Sequence, residues 1–404
     1  NPFYNIPAPT RLQGELNVDA LRAALNQIVR RHDILRTRFI TRDARPIQLI
    51  QPEFELDIPV IDLSHLAPDA ALAEARHLAT ADAQTSFDLE AAPPIRATLL
   101  RLRSDDHVIL FNMHHILSDG WSMGVLVTEF VAIYRAFSTG KPDPLPSLPI
   151  QYVDFAAWQR NWLQGDTLQQ QLAYWSGQLH DAPPILALPT DMPRPAAQSY
   201  RGATHDMVIP AQVVSELYAL GARHQSTLYM VLLSVFNILL SRYSRQQDIC
   251  VGTYIANRNR AEIEQLIGFF VNTLVLRNSV DPKVTFEGLL RGVRHTLLDA
   301  YANQDLPFEY LVDHLNPERH LSHSPLVQVA FVLQNTPMDD LDASGLKTEP
   351  LVVESSVSKF DLTLRLTEKN GQLEGCLEYA TDLFQPETIA RMASQFANLL
   401  QAVV

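Results

Sequence analysis

Between residues 18 and 31 the apolar positions Leu21, Ala24, Leu25 and Ile28 recur every three or four residues. That spacing predicts an amphipathic helix with Asp19 in its first turn. The runs 34–40 and 47–50 predict strands. Two further apolar runs, 96–103 and 108–113, flank Ser104, Asp105 and Asp106, a turn signal that predicts a hairpin of buried strands. Residues 123–137 return to helical spacing. Helices alternating with strands in this way predict an α/β architecture with helices packed on a sheet.

The same grammar returns in the second half. Two helical stretches over 211–242 precede a strand at 248–254. Helices at 286–303 and 308–315, strands at 327–333 and 360–366, and a closing helix at 386–403 follow. Between the halves lie 141–149, with four prolines, and 183–195, with five. They bracket a helical segment, 152–179, that carries Trp158, Trp162, Tyr174 and Trp175. Proline-rich connectors mark domain boundaries. The chain is therefore divided into an N-terminal lobe, 1–176, and a C-terminal lobe, 177–404, joined by a connector around 176–200.

Composition narrows the function classes. A chain of 404 residues with 47% apolar residues has enough material for two cores. The net charge of −13 is not offset by any block of Lys and Arg, which argues against nucleic acid or an anionic membrane as partner. Two cysteines argue against a disulfide framework and fit a reducing cytosol. The longest apolar run, 228–240, is interrupted by Ser234 and Asn237 and falls short of the roughly 20 residues a bilayer requires; it predicts a buried core helix. The chain opens at Asn1 without a Met and is expected to be part of a longer polypeptide.

Residues 107–122, HVILFNMHHILSDGWS, concentrate the candidate chemistry. An apolar strand runs into a polar loop and then a helix, which places His114 and His115 at the strand's end. A neutral imidazole can take a proton from an attacking amine or alcohol at neutral pH. Asp119 reads either as part of the site or as a helix N-cap, and Gly120 permits close backbone approach or a left-handed turn. A metal is not expected. His115 and Asp119 would share a face only in a helix, the Ser-Asp-Gly sequence argues for a loop, and no Cys or Glu completes a ligand set. Cys250 and Cys376 lack a nucleophile context, Ser118 lacks the GxSxG elbow, and no phosphate-binding fingerprint occurs. The chemistry reads as direct transfer on a histidine, with no cofactor bound by the domain itself.

HHILSDG resembles the HHxxxDG signature of nonribosomal peptide synthetase condensation domains, which chloramphenicol acetyltransferase and other CoA-dependent acyltransferases share in shorter form. RHDILRTRF (31–39), YVDFAAWQR (152–160), IGFFVNTLVLR (267–277), NQDLPFEYLV (303–312) and RHLSHSPLVQVAFVLQN (319–335) each resemble a further motif of the family, in the family's order. The resemblance spans nearly the whole chain. It departs at Asn303, where His is common, and at the N-terminus, where the opening motif is missing.

The resemblance implies two chloramphenicol-acetyltransferase-like lobes, a pseudodimer in a V shape with a central tunnel. It implies donor and acceptor peptidyl carrier proteins as partners, each supplying a phosphopantetheine arm, and an adjacent adenylation domain in a cytoplasmic multidomain protein. The reaction implied is peptide-bond formation, in the subtype that joins an L-configured donor to an L-amino acid. His115 matches the catalytic position, as base or as positioner of the amine. His114 and Asp119 match supporting positions, with Asp119 expected to pair with Arg36, and Gly120 is expected to leave room beside the histidine. Asn335 and Ser358 are candidate substrate-lining residues, Asn335 with the competing reading of a strand-end turn former. Trp158 and Trp162 read as core packing. The alternatives are a condensation domain that also dehydrates, epimerises or forms esters, a non-catalytic docking platform for carrier proteins, and a free-standing CoA acyltransferase.

Overall fold

The computed structural model describes residues 2–317, 320–334, 345–351 and 357–404. Its contacts divide the chain into two compact units, each built on a six-stranded sheet.

In the first unit the strands run in the order Lys347–Pro350, Thr10–Gln13, Asp106–His114, Ile95–Arg103 and Val60–Asp62, with Asn5–Pro7 also pairing with Asp106–His114. The predicted hairpin forms, with Leu99 opposite Ile109 and Ala97 opposite Phe111. Successive residues of a strand face opposite sides of the sheet, and here both sides are buried. Ile95, Ala97, Leu99, Phe111 and Met113 join the helices Val18–Arg31 and Gly120–Ser138 in one core. Leu100, Leu102, Val108 and Leu110 join Ala71, Ala75 and Ala79 of the helix Pro68–Gln84 in the other. Three alanines at i, i+4 and i+8 line one helix face. That helix was not predicted, because alanine spacing gives little apolar contrast. The 34–40 run splits into a 3-10 turn, Asp33–Arg36, and a strand, Thr37–Arg42.

In the second unit the order is Asn272–Ser279, Asp248–Ile255, Val329–Gln334, Leu362–Lys369, Gln372–Ala380 and Gly202–Ile209. The helix Leu228–Ser244, predicted as a core helix, has twelve buried residues. Its Val231, Leu232, Val235 and Phe236 are fully enclosed by the sheet and the helices Phe286–Ala302 and Pro386–Ala402. Among the described residues no single helix is long and apolar enough to cross a membrane.

The units divide elsewhere than at the predicted boundary. The first break falls between Trp162 and Leu163, because the helix Gly165–Gln178 commits Leu172 and Trp175 to the second core. Residues 258–270 and the described part of 336–354 return to the first unit. The proline-rich stretch 183–195 lies inside the second unit, where Leu186 and Leu188 are buried and the Asp191 amide donates to the Leu383 carbonyl at 2.8 Å. Proline content there marks an extended segment bound to its own lobe, after the boundary and not at it.

Candidate active site

The two-sided burial of the strand Asp106–His114 determines where its end points. Ile109, Phe111 and Met113 face the helices Val18–Arg31 and Gly120–Ser138, while Val108, Leu110, Asn112 and His114 face the other way. The strand stops at His114, and His115 opens a 3-10 turn, His115–Leu117. The two histidines then find different partners. His114 Nδ1 accepts from the Ile116 amide at 3.0 Å, so this ring carries its proton on Nε2. Burial, with the neighbouring His115 adding to it, holds the His114 imidazole below its ordinary value.

His115 Nδ1 lies 2.7 Å from the Ser118 carbonyl. A carbonyl oxygen only accepts, so Nδ1 carries the proton and donates it. In the neutral ring the lone pair then belongs to Nε2. The imidazole is half-buried, and the Phe269 ring packs edge-to-face against it, with centroids 5.2 Å apart at 82°.

Asp119 is both an N-cap and part of a buried network. One carboxylate oxygen accepts from the Ser122 amide at 2.8 Å and so caps the helix Gly120–Ser138. The other accepts from the Phe270 amide at 2.9 Å. Gly120 enters the helix in ordinary helical backbone, so the left-handed turn it would permit is not used.

The expected Asp119–Arg36 pair does not form. Arg36 sits in the 3-10 turn Asp33–Arg36, where its guanidinium donates to the Asp33 carboxylate and to the Gln51 carbonyl at 2.7 Å. The short i, i+3 reach to Asp33 satisfies it locally. Arg258 takes the place beside Asp119, with Nη2 3.4 Å from Oδ1 and 2.6 Å from Ser122 Oγ. Its Nη1 donates to the carbonyls of Ile263 and Leu266, and its guanidinium lies 4.0 Å from the Phe270 ring centroid. The Arg258 side chain is 1% exposed. Burial lowers its pKa and Asp119 opposes that shift; an arginine so placed stays charged.

The same loop is held at four further points. The Ile267 amide donates to His32 Nδ1 at 3.4 Å, and His32 Nε2 donates to Glu129 at 2.7 Å. The Gly268 amide donates to Ser122 Oγ at 3.1 Å, and that hydroxyl donates to the Gly268 carbonyl at 2.8 Å. Tyr152 Oη donates to the Phe269 carbonyl at 2.9 Å. Burial, reinforced by the Asp119 charge, pushes the Tyr152 phenol up to about 12, so it remains a donor. A Cβ on Gly268 would lie 2.2 Å from the Tyr152 ring, a distance that only glycine avoids.

Other predicted residues stand apart. Ser358 belongs to the second unit, is 1% exposed and donates to the Phe360 carbonyl at 2.7 Å, so it offers substrate no accessible hydroxyl. Asn335 lies outside the described residues. Trp158 and Trp162 stack on each other at 5.3 Å, with the Arg260 guanidinium over Trp158. Sequence reasoning missed Arg258, Phe269, Tyr152 and the His32–Glu129 pair as site residues. A buried Asp requires a cation, but nothing in the pattern distinguishes Arg258 from the other arginines.

A six-stranded sheet in each of two lobes, with the histidine where a strand breaks into a helix cap, defines an α/β two-lobe acyltransferase-like fold. The profile of the family "Condensation domain" matches residues 1–404. The chain belongs to that family, the condensation domains of nonribosomal peptide synthetases. It is 51% identical over 99% of its length to one of the linear gramicidin synthase polypeptides of Brevibacillus parabrevis, of which it spans only 5%. The X-domain from teicoplanin biosynthesis is 26% identical with a TM-score of 0.89, covering 99% of this chain and 90% of that one. A complex of the X-domain and OxyB, 28% identical over 99% of this chain and 88% of that one, gives 0.85.

Proposed function

We propose that this domain forms a peptide bond between two carrier-bound substrates, as an amide-forming acyltransferase. The acceptor's α-amine attacks the carbonyl of the donor aminoacyl or peptidyl thioester. The new C–N bond forms, the C–S bond breaks, the proton leaves the amine and the pantetheine thiol departs on the donor carrier protein. Both phosphopantetheine arms come with the donor and acceptor carrier proteins, within a cytoplasmic synthetase that also carries an adenylation domain. The subtype that joins an L-donor to an L-acceptor is part of the same reading.

The observation that carries it is the tautomer of His115. With Nδ1–H donated to the Ser118 carbonyl, Nε2 holds the lone pair that can accept the amine's proton or orient the amine. Asp119 and Arg258 keep the turn in place, and His114, with its Nδ1 tied to the Ile116 amide, supports the same turn. A second reading is a docking platform without chemistry, favoured by the likeness to an X-domain solved in complex with OxyB.

Reconstitution with separately loaded donor and acceptor carrier proteins, read by intact mass, separates the two readings. His115→Ala should lower dipeptidyl product by about 10²–10⁴-fold with an unchanged melting temperature. Wild-type protein that makes no product on loaded carriers would favour the platform.

A further inference from the structure

The loop 258–270 is held far more firmly than burying its apolar residues requires. Ile267 is 1% exposed and Phe270 3%, which would anchor the loop by themselves. In addition the amides of residues 267, 268 and 270 each donate to a side chain, and the Phe269 carbonyl accepts from Tyr152. Those four side chains come from the ends of three different helices or their caps: His32, Asp119 with Ser122, and Tyr152. Gly268 lets the Tyr152 ring pack directly against the loop backbone, in the space where a Cβ would stand. Within residues 266–270 the side chain that is not buried is Phe269, 36% exposed. A phenylalanine turned outward from a clamped backbone forgoes burial energy that its neighbours gain, and its ring meets the His115 imidazole edge-to-face.

We infer that Phe269 is a positioning residue for His115. The Ser118 carbonyl fixes one edge of the imidazole, and any swing of the ring about that hydrogen bond would turn Nε2 away. The Phe269 ring closes that swing from the side, so that Nε2 keeps one direction. Aromatic pairs in this geometry gain energy beyond their buried area, and the clamped backbone holds the phenyl ring without cost at the moment of reaction. The loop's hydrogen bonds thus serve the histidine through Phe269.

The inference rests on the reading of His115 as the reacting histidine, and its test has a readout that does not depend on turnover. Phe269→Leu retains apolar volume without the ring, and Phe269→Tyr retains the ring. Long-range ¹H–¹⁵N NMR on histidine-labelled protein, with His115→Ala to assign the signals, reports the tautomer and ring environment of His115. In Phe269→Leu the His115 signals should shift and broaden as Nε2 loses its fixed direction, while the Nδ1–H tautomer held by the Ser118 carbonyl stays, and in Phe269→Tyr they should stay near wild type. On loaded carriers, kcat should fall roughly 10- to 100-fold in Phe269→Leu, the scale of a small misplacement of a reacting group. KM for both carriers and the melting temperature should hold, and Phe269→Tyr should restore most of the rate. His115 signals that stay as sharp in Phe269→Leu as in wild type overturn the inference, as does a rise in KM at constant kcat, which would make Phe269 a substrate contact. If wild type forms no product while the NMR change appears, the positioning stands and the proposed reaction fails.

Discussion

Asp119 and Asp361 are each 2% exposed and each faces an arginine, one in the first unit and one in the second. In the second unit Arg194 approaches Asp361 with both terminal nitrogens, Nη1 to Oδ1 at 2.9 Å and Nη2 to Oδ2, and Nη1 also reaches the Ser322 carbonyl. That is a two-pronged clip from the proline-rich stretch to the start of the strand Leu362–Lys369, and its arginine keeps 21% exposure. In the first unit the ion pair itself is long, at 3.4 Å. Its members instead spend most of their hydrogen bonds on backbone: Asp119 on the amides of Ser122 and Phe270, Arg258 on the carbonyls of Ile263 and Leu266, with one more to the Ser122 hydroxyl. A charge pair satisfied mainly by its partner fastens two elements. A pair satisfied mainly by backbone sets the course of a loop, and here that loop carries Phe269 to His115.

The comparison breaks first at Asp119. Asp119→Ala removes a helix cap and an acceptor for Phe270 and leaves the buried Arg258 uncompensated, so the unfolding free energy should fall by about 3–5 kcal/mol. Urea titration measures it, and a loss below about 1 kcal/mol would make Asp119 an ordinary exposed-type cap. Asp361→Ala should cost less, roughly 1.5–3 kcal/mol, because the partly exposed Arg194 can turn to water. The double variant with Arg194→Ala should be little worse, and product formed per folded molecule should match wild type. A large drop in specific activity would show that the second-unit clip also positions the site.

The smallest effect concerns pH. Burial holds the imidazoles of His114 and His107 below their ordinary value of 6.5. Folded protein then binds fewer protons than unfolded protein once the pH drops below that value, so stability rises with pH there and is lost on acidification through the folded pKa. Melting temperatures at pH 7.5 and 5.5 should differ in that direction, and His114→Gln should narrow the difference. An identical pH response in His114→Gln would remove His114 from the explanation.

Much of the site was legible as text. HHILSDG placed two histidines at a strand end because an apolar run must stop where polar residues begin, and Asp before Gly and Trp read as a helix start. RHDILRTRF identified the right neighbourhood but the wrong residue: its arginine turns back to Asp33, and its histidine reaches the loop 258–270. Ser358 looked like a candidate lining residue and proved to be a buried hydrogen-bond donor. Strands such as Gly202–Ile209 and Gln372–Ala380 went unpredicted, because charged and small residues blur their alternation, and pairing with neighbours defines them.

Sequence by itself determined the period of each element, the α/β class, the strand–turn–helix around His115 and the family resemblance, since all of these depend on residues close together in the chain. Only the tertiary structure decided which arginine meets Asp119, which phenylalanine meets His115, and that residues 258–270 belong with the first unit. Those partners stand more than a hundred residues apart in the chain. The backbone amides and carbonyls that bind them are the same in every residue, so no side-chain pattern records which of them will be used.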